Sequence, residues 1–327
     1  MAGYRAPMSA RTGGGRRVRG DGTARAIRLV GAGGEPVDLR RTLNSHGFVD
    51  LPPMRPDDDY RAVEMTLPVR GSRPRRVRVE AAGRTAARLV VLGRAPGDRT
   101  LDELETVVRH VLRLDADLSP FYETASADPD LAWVTSGAGR MIRSPTVFED
   151  VAKTICTTNC AWSATVRMVR ALVTYLGDPA IGAPADGPEG RAFPTPGAMA
   201  EAGEAFYREV VRAGYRGPYL MSLARAVAHG DVELEALGRA SADELPDDEL
   251  EAILLALPGV GPYAAAHIMM MLGRYHRLIL DSWTRPTFAR KVGRRSVTDA
   301  SIVRRFRRYG PYAGLAFWLF LTEDWVA

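Results

Sequence analysis

Cysteine and lysine are nearly absent from this 327-residue chain, which contains two of each. The cysteines, Cys156 and Cys160, are too few for a disulfide framework or a four-thiolate cluster. A C-x3-C pair on a helix could supply half of a zinc site, but no nearby His/Cys pair completes it. We therefore expect both thiols to be small buried side chains, and we expect no metal site.

Long apolar runs are also missing. No run reaches the length that spans a membrane, and the N-terminus lacks the apolar centre of a signal peptide. We therefore expect an intracellular, soluble, cytoplasmic protein. The formal net charge of +5 points towards anionic partners, with nucleic acid first among them. A solvated arginine-rich face would explain the same charge.

The chain divides by pattern into three parts. Residues 1–23 are rich in Gly and Arg without periodicity, which predicts a disordered arm. Residues 24–117 contain short β-like runs and then the amphipathic segment LDELETVVRHVLRL, which predicts a small α+β domain with an antiparallel sheet. Residues 118–327 show helical periodicity almost throughout. The predicted fold class is therefore mainly α.

The most informative stretch joins two predicted helices by a tight turn. One helix covers about 247–256, and the turn is Leu257-Pro258-Gly259-Val260-Gly261, after which Pro262 begins the second helix. Glycines let this backbone approach another surface, and the free N–H groups at the second helix's start face an anion such as a DNA phosphate. A plain helical hairpin that needed two glycines is the alternative.

This hairpin, followed twenty residues later by Asp281, resembles the helix–hairpin–helix (HhH-GPD) DNA glycosylase superfamily. The likeness is nearest to its alkyl-adenine (3-methyladenine DNA glycosylase II) and 8-oxoguanine branches. It extends upstream through RSPTVFEDVAKTICTTNCAWSATVRMVRALV and the GYR-x-x-YL turn, and covers about residues 118–325. The α+β domain is similar in kind to the N-terminal domain of those branches. Leu280 before the aspartate and Ser282-Trp283 after it depart from the family's usual residues.

The resemblance implies a base excision repair enzyme that flips out a damaged base and hydrolyses its N-glycosidic bond. Asp281 would be the catalytic carboxylate, stabilising positive charge on the sugar and activating water. An aspartate that only caps the next helix is the alternative, and the two roles are compatible. In the family, a strand-cutting enzyme carries a lysine two residues after the second hairpin glycine, where this chain has Tyr263. Neither Lys153 nor Lys291 lies in the hairpin, so we expect a monofunctional enzyme.

Further roles follow from the same resemblance and from residue type. Aromatic side chains should hold the flipped base, and six are candidates: Phe121, Tyr122, Trp133, Trp162, Tyr263 and Trp283. We favour Tyr263 and Trp283 beside the motif, with Trp162 as a further pocket residue. Asn159 corresponds to an Asn that fills the duplex or contacts the orphan base. A cap on the helix beginning near Ala161 is the alternative for Asn159.

The DNA backbone should be bound by hairpin residues Gly259, Val260 and Gly261 and by nearby Arg285, Arg290 and Lys291. A second basic run, Arg304 to Arg308, fits phosphate contact or a solvated face equally well. No iron–sulfur cluster is expected, because the cysteines of that branch are missing, while a monovalent cation at the hairpin is carried over from the family.

The predicted partner is duplex DNA with a damaged base, bound by a monomer at the nucleoid. We favour an alkylated base. An 8-oxoguanine-type enzyme with or without lyase activity, and a non-catalytic HhH DNA-binding protein, stay open.

Overall fold

The computed structural model of the protein describes residues 23–326. The arm predicted for residues 1–23 therefore lies outside the described residues, apart from Thr23. Between Thr23 and Val326 the chain is mainly α-helical and has one small antiparallel sheet near its start, which confirms the predicted fold class. None of the helices in this range combines the length and the apolarity that crossing a membrane requires.

The sheet is five-stranded and antiparallel throughout, in the order β1–β5–β4–β3–β2. Its strands are β1 (Ala24–Arg28), β2 (Met54–Pro56), β3 (Ala62–Val69), β4 (Ser72–Ala81) and β5 (Ala86–Val91). Four of them fall on the predicted β-like runs. The sequence did not predict β2, because three residues bordered by prolines show no alternation. Pro68 lies where the register shifts between Leu67 and Val69, so its missing N–H does not interrupt a regular ladder.

The remaining regular structure is helical. The helices are α1 (Leu39–Leu43), α2 (Asp98–Val111), α3 (Ser119–Ser126), α4 (Val147–Thr157), α5 (Trp162–Leu176), α6 (Pro196–Glu201), α7 (Gly203–Ala205), α8 (Arg216–His229), α9 (Leu234–Arg239), α10 (Asp247–Leu255), α11 (Pro262–Leu272), α12 (Thr284–Lys291), α13 (Asp299–Phe306) and α14 (Ala313–Thr322). A π-helical segment, Phe206–Val210, precedes α8, and short 3-10 turns cover Gly47–Asp50, Ala132–Ser136, Arg307–Tyr312 and Glu323–Trp325.

Helix α2 covers the sheet as its amphipathic pattern predicts. Leu101, Leu104, Val108 and Val111 are buried in one cluster with the inward residues of the sheet, while Val107 of the predicted face is only half-buried. The apolar stripe of α2, which repeats every 3.6 residues, and the inward face of the sheet, which repeats every two, therefore pack against each other and form a separate hydrophobic core.

Two further apolar cores lie in the helical part, and α11 contributes to both. Every residue of α11 from Ala264 to Leu272 is buried. Ile268 and Met269 belong to the core with α4, α5 and α8, whereas Ala266 and Met270 belong to the core with α3, α13 and α14. Phe48 and Leu51 from the N-terminal region also join the first of these cores. The hairpin that precedes α11 is therefore attached to a helix that is buried over nine of its eleven residues. The predicted boundary between residues 117 and 118 stays a prediction.

A buried ion pair ties the N-terminal region to the helical part. Arg140, fully buried, pairs with Glu35 and also donates to the carbonyl oxygens of Arg113 and Ala116. The same carboxylate oxygen of Glu35, Oε1, also accepts a hydrogen bond from the backbone N–H of Leu118 at 2.7 Å. Because losing one partner would leave the other charge buried and unpaired, this pair holds the two regions in one arrangement.

Candidate functional site

The two glycines of the hairpin turn meet different surroundings. Gly259 has a φ of +78°, and a Cβ there would lie 2.7 Å from Cδ2 of Tyr219. Gly261 is exposed, with extended backbone and open space where a Cβ would be. Gly259 therefore satisfies the fold, while Gly261 leaves room for an approaching molecule.

Helix α11 begins without a side-chain cap. Gly261, its N-cap residue, has no side chain to cap the helix, and Pro262 is its first residue. The N–H groups of the first turn have no partner within the helix, and the helix dipole adds positive potential there. The predicted start of the second hairpin helix at Pro262 is confirmed, and its exposed end can receive an anion.

Asp281 lies just ahead of α12, where three hydrogen bonds hold it. Its Oδ1 accepts from the N–H groups of Trp283 (2.8 Å) and Thr284 (2.7 Å), and its own N–H donates to Oγ1 of Thr284 (2.8 Å). Thr284 is fully buried, so the carboxylate is fixed by the backbone. Within residues 23–326, no hydrogen bond engages the other oxygen, Oδ2. The N-cap residue of α12 is Trp283 and not Asp281, but Oδ1 of Asp281 accepts from N–H groups at the start of the helix as a capping aspartate does, and one carboxylate oxygen is left for chemistry.

A group of three tryptophans lies beside Asp281. The ring of Trp283 is 5.8 Å from that of Trp318 and 5.8 Å from that of Trp325. Trp318 is buried and donates its Nε1–H to the carbonyl oxygen of Ser45 at 2.8 Å. This contact brings the N-terminal segment Ser45–Phe48 to the neighbourhood of Asp281.

The same segment contributes to a buried ring cluster around His267 of α11. His267 stacks on Phe48 with ring centroids 5.2 Å apart, and it meets His46 and Tyr263 edge-on at 5.6 and 6.0 Å. Neither ring nitrogen of His267 has a hydrogen-bond partner among the described residues. Burial lowers the pKa of His267 to about 3 and that of His46 to about 4, so both rings are neutral at pH 7.

His46 shows the same shortage of partners. Its Nε2 lies 2.6 Å from the carbonyl oxygen of Ile142 and therefore carries the proton of the neutral ring. Its Nδ1 is then a buried acceptor, and no donor for it is found between residues 23 and 326. Buried polar atoms without partners are uncommon, and they mark a place where a ligand could supply the missing bonds.

Trp162 reaches the segment from a third direction. It is the first residue of α5, and a Cβ on Gly47 would lie 3.0 Å from its Cη2 atom. Trp162 thus lies directly against segment 45–48, whereas Tyr263 is linked to it through His267 and Trp283 through Trp318. The sequence interpretation did not single out this segment. Its only sequence signal is a glycine between a histidine and a phenylalanine, which is common in unrelated proteins.

Asn159 does not cap α5, so that alternative is wrong. The N-cap of α5 is Ala161, without a side-chain hydrogen bond. Asn159 is exposed with a φ of +46°, and its Nδ2 donates to the hydroxyl of Tyr215 at 3.3 Å. Tyr215 is 52 % exposed and meets Tyr219, which packs over Gly259. Asn159 and two exposed tyrosines therefore form a continuous surface with the hairpin.

Of the three basic residues singled out after Asp281, Arg290 is exposed, and Arg285 and Lys291 are engaged in ion pairs. Arg285 pairs with Asp299 through two hydrogen bonds of 2.7 and 2.9 Å. Lys291 lies 3.4 Å from carboxylate oxygens of both Glu323 and Asp324. Any DNA phosphate that they contacted would compete with these carboxylates. Their predicted role stays a prediction.

The remaining candidates are distributed differently. Phe121 and Tyr122 are buried in the core with α13 and α14, while Trp133 packs under the guanidinium of Arg41. In the second basic run, Arg305 and Arg308 pair with Asp130 and Asp128. Cys156 is fully buried, as predicted, and Cys160 is half-buried. Within the part of the chain that the structure describes, no group of three His, Cys, Asp or Glu side chains could hold a metal ion.

Several solved structures with this architecture are DNA glycosylases. The 3-methyladenine DNA-glycosylase of Archaeoglobus fulgidus superposes with a TM-score of 0.68 at 20 % identity, covering 91 % of this chain and 98 % of that one. The 8-oxoguanine glycosylase/lyase of Clostridium acetobutylicum gives 0.66 at 20 % identity, covering 88 % and 94 %. The latter protein in complex with double-stranded DNA containing cytosine opposite 8-oxoguanine gives 0.65, covering 89 % and 93 %.

No family model matches the sequence, and no curated protein matches it. At these identities the structural likeness concerns the fold, which extends over almost the whole of each glycosylase. The chain has the fold of 3-methyladenine and 8-oxoguanine DNA glycosylases, as the hairpin and Asp281 predicted.

Proposed function

We propose that the protein is a monofunctional DNA glycosylase that hydrolyses the N-glycosidic bond of a damaged, alkylated base in duplex DNA. The observation that carries this proposal is Asp281, whose Oδ1 is fixed by two backbone N–H groups while Oδ2 has no hydrogen bond within residues 23–326. A glycosylase fold, an uncapped helix start at the hairpin and aromatic rings around segment 45–48 support it. Such a substrate would place the protein at the nucleoid.

The reaction follows from the charge that develops on the sugar. As the base departs with the bonding electrons, positive charge builds on the sugar, and a carboxylate close to it lowers the energy of that state. The free Oδ2 of Asp281 would face the sugar or accept a proton from the attacking water. Water then forms the new bond to the sugar carbon, leaving an abasic site and the free base.

A flipped base needs surfaces to stack on. Trp283 lies two residues from Asp281, Trp162 lies against segment 45–48, and Tyr263 meets His267, which stacks on Phe48 of that segment, so these three rings remain our choice for the base pocket. Asn159, which is exposed and hydrogen-bonded to the exposed Tyr215, would fill the space that the base leaves in the duplex. The N–H groups at the start of α11, with Gly259, Val260 and Gly261 before them, would bind a backbone phosphate.

Strand cleavage is not part of the proposal. A lyase forms a Schiff base from a lysine whose amine is neutral and close to the sugar. Lys153 is fully buried 2.6 Å from Glu149, and Lys291 pairs with two carboxylates. Tyr263 occupies the hairpin position of the family's lysine. The monovalent cation expected at the hairpin would bind carbonyl oxygens of residues 257–261, and no step of the reaction proceeds through it.

Base release by an Asp281→Asn variant tests the proposal. Asn keeps the capping oxygen but not the charge, so we expect duplex binding to persist while the rate of base release falls by a factor on the order of 100 or more. The measurement uses a panel of single-lesion duplexes followed by alkaline cleavage at abasic sites. Asp102→Asn on α2, another exposed carboxylate, is the matched control. Damaged-DNA binding by wild type without any base release would instead support a non-catalytic binding protein.

A neutral oxidised purine is the second candidate substrate, and one observation favours it. The unpaired nitrogens of His267 and the Nδ1 of His46 are hydrogen-bonding groups that a cationic alkylated base does not need, whereas a neutral base such as 8-oxoguanine does. The lesion panel separates the two. If wild type releases only the oxidised base and His267→Phe loses this activity, the proposed substrate would be the neutral oxidised purine and not the alkylated base. Borohydride trapping of wild type would contradict the monofunctional assignment.

A further inference from the structure

A cavity lies at the end of α11 that is opposite the hairpin. It has a volume of about 470 Å³ and is lined by the end of α2, the start of α4 and the end of α9. Its cationic side chains are Arg113, Arg143 and Arg239, against the carboxylates of Asp115 and Glu235, while burial lowers the pKa of His110 to about 4 and leaves its ring neutral at pH 7. Arg113 lies at the C-terminal end of α11, because a Cβ on Gly273 would be 2.5 Å from its Nη1. Helix α11 has eleven residues, which puts about 16 Å between this cavity and the hairpin.

Arg113 is a buried charge without a carboxylate partner. It is 3 % exposed, and no ion pair involving it is found among the described residues. Its Nε donates to the carbonyl oxygen of Met141 at 3.3 Å, while its buried Nη2 has no acceptor between residues 23 and 326. The C-terminal end of α11 supplies partial negative charge on one side, but it does not satisfy Nη2. The ring of Tyr275, 6.0 Å from the guanidinium carbon, is a weak cation–π partner, so Arg113 lacks the anionic partner that a buried charge normally has.

Arg143 adds a second guanidinium to the same wall. Its Nη2 lies 2.6 Å from Asp115, a half-exposed carboxylate, and its Nε donates to the carbonyl oxygen of His110 at 2.9 Å. Burial and the charge of Arg113 lower the pKa of Arg143 to about 10, which shows that the two charges repel each other. Glu235 lies on the same wall, and both of its oxygens accept from N–H groups at the start of α4, so its carboxylate is held by that helix and not by a guanidinium.

We propose that this cavity binds a small phosphate monoester, with Arg113 and Arg143 donating to its oxygens and Arg239 at its rim. Guanidinium groups present planar pairs of N–H donors that match a phosphate group. A dianion would offset the charge of Arg113, which has no carboxylate partner among residues 23–326. The volume falls within the range of small-molecule sites, so there is room for an organic group besides the phosphate. This proposal is independent of the proposed base-releasing activity.

Thermal unfolding of the full chain at constant ionic strength tests it, with ribose 5-phosphate as the probe and inorganic phosphate beside it. A ligand that binds only the folded state raises Tm progressively with concentration. We expect wild type to show this rise, and we expect Arg113→Met to weaken binding about tenfold or more. Met keeps an apolar stem of similar reach and removes the unpaired charge. Arg239→Gln, at an exposed position, should weaken binding without affecting folding, and Arg208→Gln, far along the chain on the π-helical segment, is the control.

The same series can overturn the proposal. An equal Tm rise in wild type, Arg113→Met and Arg239→Gln would show that the phosphate binds elsewhere. A rise that undamaged duplex DNA abolishes would place it on the DNA-binding surface. A rise that citrate at matched ionic strength reproduces would show a general charge effect. If Arg113→Met does not fold, the comparison of Arg239→Gln with Arg208→Gln decides, and equal binding by those two variants refutes the site.

Discussion

At the scale of single residues, the two glycines of the hairpin turn are needed for different reasons. A Cβ at Gly259 meets both a left-handed backbone, with φ at +78°, and the ring of Tyr219. A Cβ at Gly261 meets nothing within 4 Å and sits on extended backbone that any residue adopts. The first position is therefore constrained by the fold and the second only by what binds there.

We predict opposite outcomes for alanine at these positions. Gly259→Ala should lower the free energy of unfolding by about 1–3 kcal/mol, because a non-glycine residue is strained in that conformation. Gly261→Ala should leave stability near the wild-type value but weaken duplex DNA binding, since the methyl group occupies the space through which a phosphate reaches the N–H groups of α11. Urea denaturation and binding titrations at low salt measure the two effects. Unchanged DNA affinity in Gly261→Ala would show that the phosphate does not bind at this turn.

At the scale of secondary-structure elements, Asp281 stabilises the start of α12 in addition to its proposed catalytic role. Its Oδ1 accepts from the N–H groups of Trp283 and Thr284, so it stabilises the start of that helix. A cap of this kind contributes about 1 kcal/mol. Capping and catalysis can be separated because an amide oxygen caps a helix nearly as well as a carboxylate oxygen does.

Accordingly, Asp281→Ala should lose about 1 kcal/mol of unfolding free energy, and Asp281→Asn should lose much less. Both should lose base release to a similar extent. Denaturation midpoints and single-turnover release assays on the same preparations check this. A variant pair in which activity follows stability would show that Asp281 acts on the reaction only through the helix.

Elements with a strong period could be predicted from the sequence, and those without one could not. Helix α11 was identifiable because Pro262 and the turn glycines mark its start and an apolar run follows. Four strands were identifiable from alternation. Strand β2 and segment 45–48 carry no period, so their positions depend on contacts far away in the chain. The carbonyl oxygen of Ser45, which accepts from Trp318, is such a contact.

At the scale of the whole molecule, the candidate site is assembled from segments that are distant in sequence. Segment 45–48, the start of α5, helix α11 and the loop before α12 meet because α11 packs in two cores at once. The sequence predicted Asp281 and the hairpin, since those lie in one motif. It did not predict His46 or His267, because their importance comes from a shared environment in which their nitrogens lack partners.

Neutral buried histidines also make the stability of the whole molecule depend on pH. The folded-state pKa values of His46 and His267 lie at about 4 and about 3, below the unfolded value of 6.5. As the pH falls below 6.5, the unfolded chain takes up these protons and the folded protein does not, so the free energy of unfolding decreases. Asp150 opposes this, because burial raises its pKa to about 6 and its protonation on acidification favours the folded state. Each histidine lowers stability by about 2 kcal/mol at about pH 5, which exceeds the relief from Asp150.

His267→Phe should therefore flatten the pH dependence. The variant keeps a ring stacked on Phe48, removes two unpaired nitrogens and cannot take up a proton, so we expect the loss between about pH 7 and pH 5 to shrink by about 2 kcal/mol. Denaturation curves at both pH values measure it. His229→Gln, at an exposed position on α8, is the control and should retain the wild-type slope. An unchanged slope in His267→Phe would mean that the ring of His267 takes up its proton in the folded protein too, which requires a hydrogen-bond acceptor or water beside it. In that case the ring cluster would be open to polar groups, and a neutral base with directed hydrogen bonds would become easier to accommodate there.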